Sequence, residues 1–140
     1  MFQKDKKYIL DGGSGQTLLE MGLNTTGDLW SAQALIDSKY HPLVLKMHQD
    51  FINAGSEVIV TSNFSVRKRM FAKHNLLHHF EEGLMYAGKI AQKAKHESNK
   101  KIIVAGSLPN QGNTYSPIQF ETDKTIYDNF LEICIILNQY

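Results

Sequence analysis

Three short apolar runs rich in β-branched residues punctuate the chain, and each stops at a cluster of small or polar residues. Tyr8-Ile9-Leu10 gives way to Asp11-Gly12-Gly13-Ser14-Gly15, and Glu57-Val58-Ile59-Val60 to Thr61-Ser62-Asn63. Ile102-Ile103-Val104-Ala105 gives way to Gly106-Ser107-Leu108-Pro109. Such runs, bounded by Gly, Ser, Asn or Pro, predict buried strands. Between them the apolar spacing changes to a helical period. Pro42 suits a first helical turn, Leu43, Val44, Met47, Phe51 and Ala54 follow at helical intervals, and Gly55 supplies a left-handed exit. Phe80, Leu84, Ala87, Ala91 and Ala94 make a second, longer stripe, with Lys89, Lys93, Lys95 and His96 near the negative end of its dipole. Shorter helices are expected over residues 18–22 and 68–74, loops over 24–28 and 109–117, and the run from Leu29 to Ile36 follows the first of these loops. Thr122 or Asp123 caps a final helix with Ile126, Phe130, Cys134 and Leu137 inward. Ile133, Ile135 and Ile136 add apolar positions beyond that stripe, as if a further layer were to pack there.

Alternating strands and helices predict an α/β domain built on a parallel sheet. In such sheets the carboxyl ends of the strands share one edge, where ligands bind. Three ends of this kind therefore point to a built site. The length of 140 residues, 42% hydrophobic and 21% charged, fits one globular domain with a real core. A formal net charge of +1 provides no field favouring nucleic acid or an anionic membrane. The lysines at Lys4, Lys6 and Lys7, and at Lys93, Lys95, Lys100 and Lys101, read as solvated ends. The longest apolar run, from Ile133 to Leu137, is far short of a membrane span. Cys134 is the single cysteine, which excludes an intramolecular disulfide. Together with the polar start of the chain it points to a reducing, cytoplasmic setting. On its apolar helix face this thiol is expected to pack rather than to react.

Asp11-Gly12-Gly13-Ser14-Gly15 carries the sharpest chemistry. Glycine admits positive φ or a close ligand approach, and a carboxylate at a strand end can take an amine or hydroxyl. The run is neither a G-x-G-x-x-G fingerprint nor a lysine-bearing phosphate loop, which weighs against a small phosphate-binding domain. A tight turn with a solvated aspartate is its plain alternative. Thr61-Ser62-Asn63 adds neutral hydrogen-bonding groups, which are also ordinary loop residues. His74, His78 and His79 lack the acidic partner of a metalloprotease helix, and His41 and His48 stand seven apart, so surface or core histidines are expected.

In order along the chain, several pieces together resemble the amino-terminal part of the homocysteine S-methyltransferase family. They are Asp11-Gly12-Gly13-Ser14-Gly15, Leu29-Trp30-Ser31-Ala32-Gln33-Ala34-Leu35, His48, Ala54-Gly55, Val58-Ile59, Thr61 with Asn63, and Ala105-Gly106-Ser107-Leu108-Pro109. The resemblance implies a (β/α)8 barrel that methylates the thiol of homocysteine to give methionine, from a donor it does not specify. It implies that Asp11 accepts the substrate ammonium, that Gly12 and Gly13 let backbone N–H groups meet the carboxylate, and that Thr61 and Asn63 line the pocket. It further implies a zinc ion on three cysteine thiolates in the second half of the barrel, for which this chain has no counterpart. A barrel of this kind needs roughly 250 residues and eight strands. The expectation is therefore a short extension over residues 1–7 and a partial homocysteine-binding domain over residues 8–140, truncated at its C-terminal end. It would be inactive alone, and either self-associating or completed by another chain. A non-catalytic binding or assembly module, half of a split barrel, is the alternative.

Overall fold

The computed structural model describes residues 3–25, 27–110 and 121–140. Most of the loop expected over 109–117, and one residue of that expected over 24–28, lie outside them. Helix α1 (Ser14–Glu20) begins inside the glycine-rich cluster, earlier than its apolar residues suggested. Two 3-10 turns flank α2 (Gln33–Ile36) and lead into α3 (His41–Ala54). Then follow β1 (Val58–Val60), α4 (Lys68–Lys73), α5 (Phe80–Ser98), β2 (Ile103–Ala105) and α6 (Asp123–Leu137).

β1 and β2 pair in parallel with Val58 opposite Ile103, Ile59 opposite Val104 and Val60 opposite Ala105. The first expected strand is not a full strand. It contributes a single parallel bridge, Leu10 to Val58. The N–H groups of Glu57 and Val58 both donate to the Ile9 carbonyl at 2.8 and 3.1 Å, and the Asp11 N–H donates to the Val58 carbonyl at 3.0 Å. Its side chains explain the weakness. Ile9 and Leu10 are 61% and 60% exposed, so little apolar burial holds the segment down. The order across the sheet is nevertheless Leu10, β1, β2, with all three running the same way.

The helices cover this sheet as their stripes require. All five residues of the predicted α5 stripe are buried, joined by Gly83, Gly88 and Ile90. On α3 the buried face is Val44, Met47, His48 and Ile52, with Ala54 turned out to solvent. Gly55 ends α3 at φ +113°, the left-handed exit that glycine adopts without a Cβ penalty. A main core gathers Leu18, Leu35, Val44, Met47, Phe71 and Leu84, and a smaller one joins Ile52, Ile59, Ala91, Ala94 and Ile102 beside the strands.

The phase expected for α6 is corrected. Its buried residues are Asn129, Ile133 and Ile136, whereas Cys134 is exposed. Thr122 caps it as expected, its hydroxyl accepting the Thr125 N–H at 3.2 Å. The helix is apolar on most sides, so the sequence did not fix which side faces α5. Opposite the buried face, Tyr127, Leu131 and Ile135 stay 65%, 46% and 57% exposed. No helix of the described residues is long and apolar enough to cross a membrane.

Two glycines of α5 make a matched test of this packing. A Cβ on Gly83 would meet Val66 at 3.5 Å, an ordinary contact, whereas one on Gly88 would stand 2.8 Å from the Tyr140 ring. Helix propensity favours alanine over glycine by about 1 kcal/mol at either position. Gly83→Ala should therefore raise the melting temperature, and Gly88→Ala should lose that gain by expelling Tyr140. Thermal denaturation of both variants checks this; equal gains would show that Tyr140 does not dock on α5.

Candidate functional site

The carboxyl edge of the sheet brings together the ends of all three apolar runs. Asp11 leaves the first of them half-buried, and its Oδ2 accepts the Val60 N–H at 2.8 Å. The side chain thus extends the sheet ladder by one bond where the first segment has no further backbone to offer. Burial pushes the Asp11 carboxyl above its ordinary value, while the N–H groups of Val60 and of Asp11 itself pull it back. A partly desolvated carboxylate at a strand end interacts strongly with an incoming cation.

Gly12 and Gly13 are exposed next to it. Neither has positive φ, so the turn does not need glycine for that reason. Gly12 needs it for space, because a Cβ there would stand 3.0 Å from Cε1 of Phe51 on α3. Around Gly13 nothing lies within 4 Å of a built Cβ, which leaves open room above its backbone. Trp30 stands beside this turn, with Cη2 3.2 Å from where a Gly15 Cβ would be. Its backbone, at φ 46° and ψ −130°, occupies a region that non-glycine residues rarely adopt. Nothing in the sequence pattern around Trp30 signals this.

Thr61 and Asn63 do come to the same edge, but their polar atoms are already engaged. The Thr61 hydroxyl donates to Asn63 Oδ1 at 2.6 Å and accepts the Ser107 N–H at 2.9 Å. Asn63 Nδ2 donates to the Ser107 carbonyl at 2.9 Å. Both residues are buried, Asn63 completely. The closed ring ties the exit of β1 to the exit of β2, across 44 to 46 residues of chain. Nothing in the spacing of the sequence signals it.

The histidines take structural places. His74 and Lys73 both pair with Asp28, and these partners hold the Asp28 carboxyl down at about 2. His79 Nδ1 meets Glu82 at 2.7 Å, and the His41 ring packs on Tyr86 with centroids 4.1 Å apart. His48 is fully buried in α3 with neither ring nitrogen hydrogen-bonded. Among the described residues, no group of three His, Cys, Asp or Glu is placed to hold a metal ion. The one thiol of the chain, Cys134, is exposed on α6. This donor set does not fit the three-thiolate zinc site that the resemblance implies.

Comparison with known proteins bears on this edge. The profile of the homocysteine S-methyltransferase family matches residues 8–138. Homocysteine S-methyltransferase 2 of Zea mays is 27% identical over 118 residues, which is 76% of this chain and 34% of that protein. The homocysteine S-methyltransferase of Escherichia coli is 25% identical over 119 residues, 80% of this chain and 38% of that one. Among solved structures, the E. coli homocysteine methyltransferase MmuM in its metallated form superposes with a TM-score of 0.76 at 21% identity. That match covers 94% of this chain and 51% of MmuM. The chain spans little more than a third of these curated relatives. With the profile matched over nearly its whole length and the fold shared with MmuM, the chain belongs to the homocysteine S-methyltransferase family.

Proposed function

We propose that this chain forms the amino-acid-binding portion of a homocysteine S-methyltransferase, and that the Leu10 segment, β1 and β2 stand for the first three strands of a (β/α)8 barrel. The observation that carries the reading is the placement of Asp11. A half-buried carboxylate is held at the carboxyl edge by the Val60 N–H, beside two exposed glycines with open space over the second. Asp11 accepts the substrate ammonium as a charge-assisted hydrogen bond. The backbone N–H groups at Gly12 and Gly13 meet its carboxylate, with open space over Gly13. Thr61 and Asn63 build the floor of the pocket. The outward row Tyr127, Leu131 and Ile135 is the face on which the remainder of a barrel, or a second copy, would pack.

In this reading the chain grips the amino-acid end of homocysteine and takes no part in activating its sulfur. Cys134 stands alone and faces outward, so the three thiolates of the family's zinc site have no source here. A single thiol fits a cytosolic setting, where disulfides are rare.

Calorimetric titration with L-homocysteine, paired with an assay for methionine formation from each class of methyl donor, tests the proposal. Saturable binding without turnover is expected. Gly13→Ala sharpens the test, because the space around Gly13 lets the variant fold unchanged while its new methyl group occupies the ligand's path. It should melt with the parent and bind homocysteine about tenfold more weakly. Unchanged binding by Gly13→Ala, or methionine formed by the purified chain, would refute the assignment.

A further inference from the structure

Resting on that reading, we infer that Glu57 is the positioning residue for Asp11. Its carboxylate pins the first segment to β1 and so fixes where Asp11 meets the substrate ammonium. The segment needs such a pin. Ile9 and Leu10 are mostly exposed, so apolar burial does not set its register, and a slip of one residue would turn the Asp11 side chain to the other face.

Polar bonds set the register instead. In a parallel ladder they recur at every second residue along each strand. Around the bridge of Leu10 to Val58, the Val58 N–H donates to the Ile9 carbonyl and the Asp11 N–H to the Val58 carbonyl. One step on, the regular acceptor for the Val60 N–H would be the Asp11 carbonyl. One step back, the regular acceptor for the Ile9 N–H would be the Ser56 carbonyl. Carboxylates take both places. Asp11 Oδ2 accepts the Val60 N–H at 2.8 Å, and Glu57 Oε2 accepts the Ile9 N–H at 3.3 Å. Two side chains, one from each partner, thus continue a one-bridge ladder at its two ends.

Glu57 is itself well anchored. Its carbonyl accepts the Ile103 N–H of β2 at 2.9 Å, and its N–H donates to the Ile9 carbonyl at 2.8 Å. Its other carboxylate oxygen pairs with Lys6. Lys6 first, and then the Ile9 N–H, hold the carboxyl below its ordinary value, so it is an ionised acceptor at neutral pH. The ion pair is partly exposed on both sides and contributes little alone. The Ser56 hydroxyl adds a bond to the Leu10 carbonyl at 3.4 Å. What Glu57 supplies is the acceptor two residues before Asp11.

The test is amide hydrogen exchange of the 140-residue chain and two variants, with each also titrated by L-homocysteine. Glu57→Asp keeps the charge but falls a methylene short of Ile9, whereas Glu57→Gln keeps the reach without the charge. Glu57→Asp should speed exchange at the Asp11 and Val60 amides about fivefold and leave the Thr61 and Ile103 amides of the β1–β2 ladder unchanged. Binding should weaken by the same factor, because affinity falls with the fraction of chains in which the site is seated. Glu57→Gln should stay within about twofold of the parent in both measurements. Parent-like exchange at Asp11 and Val60 in Glu57→Asp would overturn the inference. So would faster exchange at all four amides together, the mark of a general loss of stability. A seat that loosens without any change in affinity, or a Glu57→Gln variant as impaired as Glu57→Asp, would overturn it too. Because the assigned role is local, failure of Glu57→Asp to fold would also contradict it. A folded parent that binds no homocysteine would remove the proposed function, and the exchange pattern would still decide whether Glu57 seats Asp11.

Discussion

Between pH 6.5 and pH 4.5 the folded chain should lose most of about 3 kcal/mol of stability, and His48 is the reason. Burial lowers its pKa from 6.5 to about 4, and neither ring nitrogen has a hydrogen bond that could offset the loss of water. The unfolded chain therefore takes up a proton near pH 6.5 that the folded chain refuses until about pH 4. Stability is complete above the upper value and falls as the pH drops through the window. At 1.36 kcal/mol per pH unit, the interval corresponds to about 3 kcal/mol. Other resolved shifts differ in range or in sign. The lowered carboxyls of Asp28, Asp37 and Glu57 act below their ordinary values of 3.8 to 4.5. The raised carboxyl of Asp11 has the opposite sign, weakening the fold as the pH rises from 3.8. Urea denaturation at half-unit pH steps should trace the loss. His48→Leu should flatten the profile over this range and be at least as stable as the parent at pH 7, because it removes two unsatisfied polar atoms from the core. A flat parent profile, or a His48→Leu variant that is much weaker at neutral pH, would show that the imidazole has a partner or water.

Where residues carry a local rule, the sequence was enough. Pro42 and Gly55 bracket α3, Thr122 caps α6, and the alternation of apolar stripe and apolar run gives the parallel order of β1 and β2. Two readings failed because local pattern does not measure burial. Tyr8-Ile9-Leu10 looks like a strand, yet its outward side chains leave it one bridge. The face of α6 was misplaced because Ile133, Cys134, Ile135 and Ile136 are all apolar, and because a buried Asn129 was not expected. That asparagine is tolerated inside because its Nδ2 donates to Glu121 at 3.2 Å. The candidate site divides in the same way. Asp11, Gly12 and Gly13 stand out as a contiguous cluster, whereas the ring of Thr61, Asn63 and Ser107 joins residues distant in the chain and emerges only when β1 and β2 pair.

Asp11 carries the second large effect, and its two roles can be separated. Asp11→Ala removes the acceptor for the Val60 N–H and leaves a partly buried donor unpaired, a cost of about 1–3 kcal/mol in stability. Asp11→Asn keeps an oxygen for that N–H at the same volume and removes only the charge. The asparagine variant should therefore melt close to the parent, and should gain slightly if the raised carboxyl pKa reflects an uncompensated desolvation. Binding is another matter. A neutral amide in place of a carboxylate loses the charge-assisted bond to an ammonium, a difference of about 1.5–3 kcal/mol or 10- to 100-fold in affinity. The most direct measurement is thus the dissociation constant of L-homocysteine for the parent chain and for Asp11→Asn, both shown to be folded under the same conditions. Saturable binding by the parent, weakened at least tenfold in the variant, is the expected result. Equal affinity in the two proteins, or a folded parent that binds no homocysteine, would contradict the assignment of this edge as the grip on the amino acid.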